Sequence, residues 1–186
     1  MDRAGELTDH EGSLLALIQR KGPLSAYQIA KDYESSPIYT INTAKGKLYP
    51  LLERLVERAL LKSEEMPHDR RGTKHYGCTD RGRSALRLWL NSFRPEHELP
   101  PDPLRRKLQA LDLLAPQEQL AWIKTVRMRL LQRLEAVQSF DADAEGGFSR
   151  FAQSNAAESL RGRLRWLDEL QSSIGGDLSA KTQRRS

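Results

Sequence analysis

The chain has 186 residues, 38% of them hydrophobic and 30% charged, with a formal net charge of +5 and a pI near 9.5. This is room for one or two small, helix-rich domains with real cores, and no apolar run approaches the roughly 18 to 20 residues of a membrane span. The polar start MDRAGELTDHEG is unlike a signal peptide, and Cys78, the only cysteine, excludes an internal disulfide and fits a reducing compartment. A cytoplasmic protein with no membrane association is therefore expected. Residues 1–94 carry 16 Lys/Arg against 12 Asp/Glu, and residues 95–186 carry 14 against 13. The basic excess thus sits in the first half.

In chain order, Leu14, Leu15, Leu17 and Ile18 mark a short first helix, stopped by Gly22 and Pro23. Ser25 and Gln28 have the spacing of a capping box that opens a second helix, with Ala26, Ile29, Ala30 and Tyr33 on its inner face. The turn-rich ESSPIYTINT leads into KGKLYPLLERLVERALL, a third helix from about Lys45–Lys47 to Arg58. Its apolar residues Leu48, Leu51, Leu52, Leu55, Val56 and Ala59 recur at helical steps. Pro50 lacks the amide hydrogen that a helix interior needs. It is expected in or near the first turn, where that hydrogen has no partner to lose.

LLKSEEM reads as a strand, PHDRRGTK as a loop and KHYGCT as a returning strand. Cys78 within it reads as a small hydrophobe. Thr79 can cap a fourth helix whose apolar residues are Leu86, Trp89, Leu90 and Phe93. The order helix, helix, helix, hairpin, helix is that of a winged helix-turn-helix domain.

The expected fold is mainly α: an N-terminal winged helix-turn-helix with three helices, a two-stranded wing and a following helix, then a C-terminal helical antiparallel dimerisation domain. The domain occupies residues 1–94, and the proline-rich 95–103 reads as a linker. Residues 104–175 form the helical domain, with Pro116–Phe140 and Phe148–Ile174 as its long antiparallel pair, and 176–186 as a flexible tail. Trp122, Trp166, Phe140, Phe148 and Phe151 add aromatic surface for an interface or a small-molecule pocket.

AYQIAK, LYPLLERLVERALL and KHYGCTDRGRSALRLWL together resemble the PadR family of bacterial winged-helix transcriptional regulators. The Tyr49–Pro50 pair before a leucine-rich helix is the most specific element. Tyr76, Thr79 and Gly82 form a weaker, shared pattern. The resemblance covers about residues 12–94, and the long helical region after it is similar in kind to the larger, virulence-activator type. Two positions depart from the family: Ala59 stands where glycine is usual at the helix end, and Cys78 where a larger aliphatic is common. A left-handed alanine costs roughly 1–2 kcal/mol, so the third helix is expected to end differently here.

The resemblance implies a sequence-specific transcriptional regulator, a repressor in the first instance. It would bind a double-stranded DNA operator as a homodimer through its C-terminal helices and be released by a small hydrophobic or phenolic effector. A recognition helix enters the major groove by its N-terminal residues, so Lys45, Lys47 and Tyr49 are groove candidates, with Thr40, Asn42 and Thr43 on the approach. Ser25, Tyr27 and Gln28 would hold backbone phosphates. On the wing, Arg70, Arg71, Thr73 and Lys74 would meet phosphates or a narrow minor groove.

No enzyme is expected, and no cofactor or metal. His10, His68, His75 and His97 lack ligand spacing, and there is no phosphate-binding glycine loop or nucleophile elbow. The rival reading is a winged-helix protein-interaction module whose basic residues are incidental.

Overall fold

The computed structural model describes residues 6–38, 45–65 and 72–183, with the side chains of Lys45 and of 177–183 excepted. The chain divides into two compact units, Met1–Glu98 and Leu99–Ser186.

In the first unit, α1 spans Asp9–Lys21. Thr8 caps it in a capping box with Glu11, and it ends at Gly22 in a left-handed turn at φ 90°. Gly22 and Pro23 stop it as expected, but it begins earlier than its leucines indicate. A two-residue strand β1, Leu24–Ser25, leads into α2, Ala26–Ser35, which opens with the Ser25–Gln28 capping box. Then come α3 (Lys45–Glu57), β2 (Leu61–Glu65), β3 (Lys74–Cys78) and α4 (Asp80–Leu90). The sheet is antiparallel in the order β1-β3-β2, so the expected hairpin gains a third strand. Leu24 faces Tyr76 on one side of β3, and Leu61 pairs with Cys78 on the other. A two-residue strand carries no alternating pattern, and only its partner reveals it.

One core holds these elements together: Leu14, Leu15 and Ile18 of α1, Ile29 and Tyr33 of α2, Leu48, Leu52 and Leu55 of α3, with Leu60, Leu61, Tyr76 and Leu86. Cys78 is half-buried and its Sγ donates to the Leu15 carbonyl at 3.5 Å. Burial pushes its thiol up, against a smaller opposing pull from Arg83. This is the packed, protonated cysteine that the sequence leads one to expect.

The inner face of α4 is narrow, and one expectation on α3 changes. Leu90 and Phe93 are 66% and 73% exposed, because α4 docks through Gly82, Leu86 and Trp89, one stripe of its surface. Pro50 lies inside α3, more than a full turn past Lys45. Its absent amide would have bonded Gly46, so the helix forgoes one internal bond rather than placing proline where none is lost.

The end of α3 also departs from expectation. Ala59 adopts φ 55°, the Ala59 amide bonds Val56 O at 2.8 Å, and the Leu60 amide bonds Leu55 O at 2.9 Å. This is a complete Schellman ending with its apolar contact between buried Leu55 and Leu60. The helix closes as a glycine-capped one does, at the strain of a left-handed alanine.

The stretch 95–103 is partly helical, with α5 at Pro95–Glu98 and Pro103 opening α6, Pro103–Leu108. Each proline takes the first helical position, where its missing amide hydrogen costs nothing. A 3-10 turn at Leu111–Leu113 precedes α7, Pro116–Gln138, and α8, Ser149–Gln183. The helix α8 passes Gly175 and Gly176, where the sequence places its end. Glycine weakens a helix interior by about 1 kcal/mol, which need not stop a long one. The antiparallel pair packs Ile123, Leu130 and Val137 of α7 against Ala157, Leu160 and Leu167 of α8.

Candidate nucleic-acid interface

The candidate residues lie on three elements of the first unit. At the start of α2, Ser25 is 5% exposed. Its hydroxyl accepts from the Gln28 amide at 3.3 Å, while Gln28 Oε1 accepts from the Ser25 amide at 2.8 Å. Ser25 is thus committed to the cap. Gln28 is exposed, and its side-chain nitrogen remains free to donate outward. Tyr27 is 72% exposed, the most open side chain at this end.

On α3, Lys47 and Gly46 face solvent and Tyr49 is 45% exposed. Nothing lies within 4 Å of where a Gly46 side chain would start, so this turn presents bare backbone. Lys45 begins the helix. Its side chain, and all of Thr40, Asn42 and Thr43, lie outside the described residues.

The hairpin supplies the third element. Gly72 takes φ 60° just before β3, Thr73 is half-buried, and Lys74 is exposed opposite Glu65. The Thr73 carbonyl lies 3.2 Å from His75 Nδ1. Arg70 and Arg71 lie outside the described residues. Lys74 lines one cleft with Glu53 and Glu57 of α3 and with Ser63 and Tyr76, so the root of the wing and the flank of α3 are brought together. Burial first, then the adjacent Tyr49 and Glu53, raises the Tyr76 phenol above its ordinary range.

The geometry that fixes α3 rests on residues outside the candidate set. Thr79, capping α4 through the Gly82 amide at 2.9 Å, also donates to the Ala59 carbonyl at 2.7 Å. A side chain on Gly82 would sit 2.1 Å from the Leu60 carbonyl, so the Thr79–Gly82 turn is pressed against the end of α3. On the other flank, the buried Glu11 of α1 accepts from Arg54 Nε at 3.3 Å and Arg58 Nη1 at 3.0 Å through Oε1. Its Oε2 accepts from the Thr8 amide at 2.9 Å. Burial works to raise this carboxyl, but the Thr8 amide and Arg58 outweigh it and hold it below the ordinary glutamate range. The capping-box spacing of Thr8 and Glu11 is legible in the sequence; the pairing with Arg54 and Arg58 is not.

A second carboxylate, Asp9, accepts from Trp89 Nε1 at 3.0 Å and from Arg94 Nη2 at 2.5 Å. The Trp89 bond, opposed by partial burial and aided by Arg94 and His97, lowers its pKa. The Trp89 indole packs directly on Gly12, where a Cβ would lie 2.3 Å from its ring.

In chemical terms the surface offers exposed amines, amides and phenols, the groups that meet phosphate and base edges. Among the described residues no His, Cys, Asp and Glu cluster suits a metal ion, and no helix is long and apolar enough to cross a membrane.

No curated protein matches the chain. Among solved structures it is similar to Bacillus subtilis PadR in complex with operator DNA, at 20% identity and TM-score 0.71 over 90% of this chain and 99% of that one. The same protein in complex with p-coumaric acid matches at 20% identity and TM-score 0.69, over 89% and 98%. The Vibrio cholerae virulence activator AphA matches at 17% and 0.67, over 89% and 98%. These likenesses establish the winged-helix fold. Residues 14–88 match the family model described as the transcriptional regulator PadR-like family.

Proposed function

We propose that the protein is a sequence-specific DNA-binding transcriptional regulator that acts as a homodimer, in the first instance as a repressor. The observation that carries this reading is the exposed N-terminal end of α3. Lys47, Tyr49 and the bare Gly46 backbone stand out while Leu48, Leu52 and Leu55 anchor the helix below. This end would enter the major groove. Tyr27 and Gln28 would hold phosphate on one side, and Arg70, Arg71, Thr73 and Lys74 on the other. Lys45, Thr40, Asn42 and Thr43 complete the groove set in this reading, and Ser25 serves it by capping α2.

One winged helix makes few base contacts, so useful specificity calls for two half-sites and two copies. Met128 and Leu131 of α7, Phe148 just before α8 and Phe151 in its first turn are exposed apolar side chains suited to pairing. An effector has a candidate place within the second unit. A cavity of about 440 Å³ is lined by Leu104, Arg105, Leu108, Gly162 and Trp166, a size typical of small-molecule sites. A flat phenolic acid would set its ring against Trp166 and its carboxylate toward Arg105, and quenching of tryptophan fluorescence by p-coumaric acid would report it.

Selection of duplexes from a random-sequence pool tests the DNA reading. The unaltered protein is expected to enrich a two-fold symmetric sequence, and Lys47→Ala to weaken binding to it. Enrichment of no sequence would refute the reading and favour the protein-interaction module.

A further inference from the structure

Lys47 and Arg54 of α3 and Arg58, the residue just past its end whose amide still bonds the Arg54 carbonyl, are spaced i, i+7 and i+11, which places all three on one side of the helix. Left to themselves they would make a basic stripe running its length. Among the described residues, Glu11 breaks that stripe. With 4% of its side chain exposed, it pairs with both arginines through one oxygen, and Arg58 Nη2 also donates to the Glu6 carbonyl at 3.3 Å. Lys47 has no ion-pair partner among the described residues. Arg54 is the less secured arginine, since 55% of its side chain reaches solvent.

We propose that Glu11 is a positioning residue that limits sequence-independent DNA binding: it holds the Arg54 and Arg58 guanidiniums against α1 and leaves Lys47, at the reading end, as the cation this side of α3 offers to DNA. The inference rests on the DNA-binding reading. A guanidinium able to swing outward roughly 10 Å along the helix from Lys47 would add a phosphate contact that any sequence satisfies, and contacts of that kind position without specifying. A buried carboxylate prevents this because Arg54 would have to abandon a charge-assisted bond and leave Glu11 short of a partner.

The test is fluorescence anisotropy on a selected duplex and on its scrambled counterpart, across a salt series, well below the unfolding temperature of each variant. In Glu11→Gln the log–log salt slope on scrambled DNA should steepen by about one phosphate contact. Affinity for the selected and the scrambled duplex should rise together and leave their ratio about as it was, because every duplex offers that phosphate. Adding Arg54→Gln to that variant should restore the slope, an outcome that mere damage to the fold would not give. An unchanged slope, or a steepening that Arg54→Gln does not relieve, would overturn the proposal.

Arg54→Gln in the otherwise unaltered chain is an independent arm. It should leave the slope on scrambled DNA as it is, because a held Arg54 contributes nothing there; a slope shallower by one phosphate would show that Arg54 already reaches the backbone. A protein with no preference for any duplex would count against the DNA reading itself, while the scrambled-DNA slopes still decide the placement of Arg54.

Discussion

At the scale of single residues, Ala59 is the clearest local conflict in the chain. Its φ of 55° belongs to glycine, yet both bonds of the Schellman ending form around it. Ala59→Gly should remove the left-handed strain while adding some freedom to the unfolded chain, for a net gain of about 0.5–1 kcal/mol, read as a rise in melting temperature. Gly82 behaves in the opposite way. A methyl group there meets the Leu60 carbonyl at 2.1 Å, so Gly82→Ala should cost about 3 kcal/mol in denaturant unfolding. That collision explains why a Thr-x-x-Gly pattern follows the hairpin: Thr79 and Gly82 together clasp the end of α3.

Glu11 gives a pH dependence. Its folded carboxyl titrates below its ordinary value, so in acid the unfolded chain binds the proton first. The stability it supplies is complete above the ordinary glutamate range and lost as pH falls through the lowered folded value. Acid unfolding curves should show this decline in the natural sequence, and Glu11→Gln should flatten the contribution over that window. An identical acid limb in both would mean that Glu11 does not carry it.

At the scale of elements, long periodic segments were legible and short or interrupted ones were not. The leucines of α3 and α7 announce their helices because each buries one stripe. The strand β1 has two residues and exists through its pairing with β3, a contact no local pattern carries. The inward face of α4 is narrower than its apolar residues suggest, leaving out Leu90 and Phe93, since periodicity marks apolar positions without saying which of them finds a partner. Pro50 shows the limit of a local rule: the leucines beneath α3 hold the helix through a proline that local preference alone disfavours. Of the candidate site, Ser25 was legible as a cap and Lys47 and Tyr49 as outward residues. Glu11 and Asp9 acquire their roles from partners 43 to 88 positions away, a distance at which sequence spacing is silent. The wing carries an element-scale prediction. Replacing Arg70, Arg71 and Lys74 together by alanine should weaken binding to every duplex about equally and reduce the salt slope by up to about three phosphates.

At the scale of the whole molecule, the two units divide the work on the proposed reading. The first presents α3 and the hairpin to DNA, and the second joins copies through α7 and α8. Light scattering should give a mass near twice the 21.2 kDa chain. Leu131→Glu with Phe151→Glu should bring it back toward a single chain and lower operator affinity with it, because the two half-sites are then no longer bound together.

The central claim is that this chain reads DNA sequence through the N-terminal end of α3. The most direct test is fluorescence anisotropy of the purified protein against the duplex upstream of its own gene and a scrambled duplex, titrated over several salt concentrations. Preferential binding to the upstream duplex with a steep salt slope is the predicted result, with Lys47→Ala erasing most of the preference. Equal, weak binding to both duplexes that vanishes near physiological salt would contradict the account and leave the winged-helix fold with a protein partner to find.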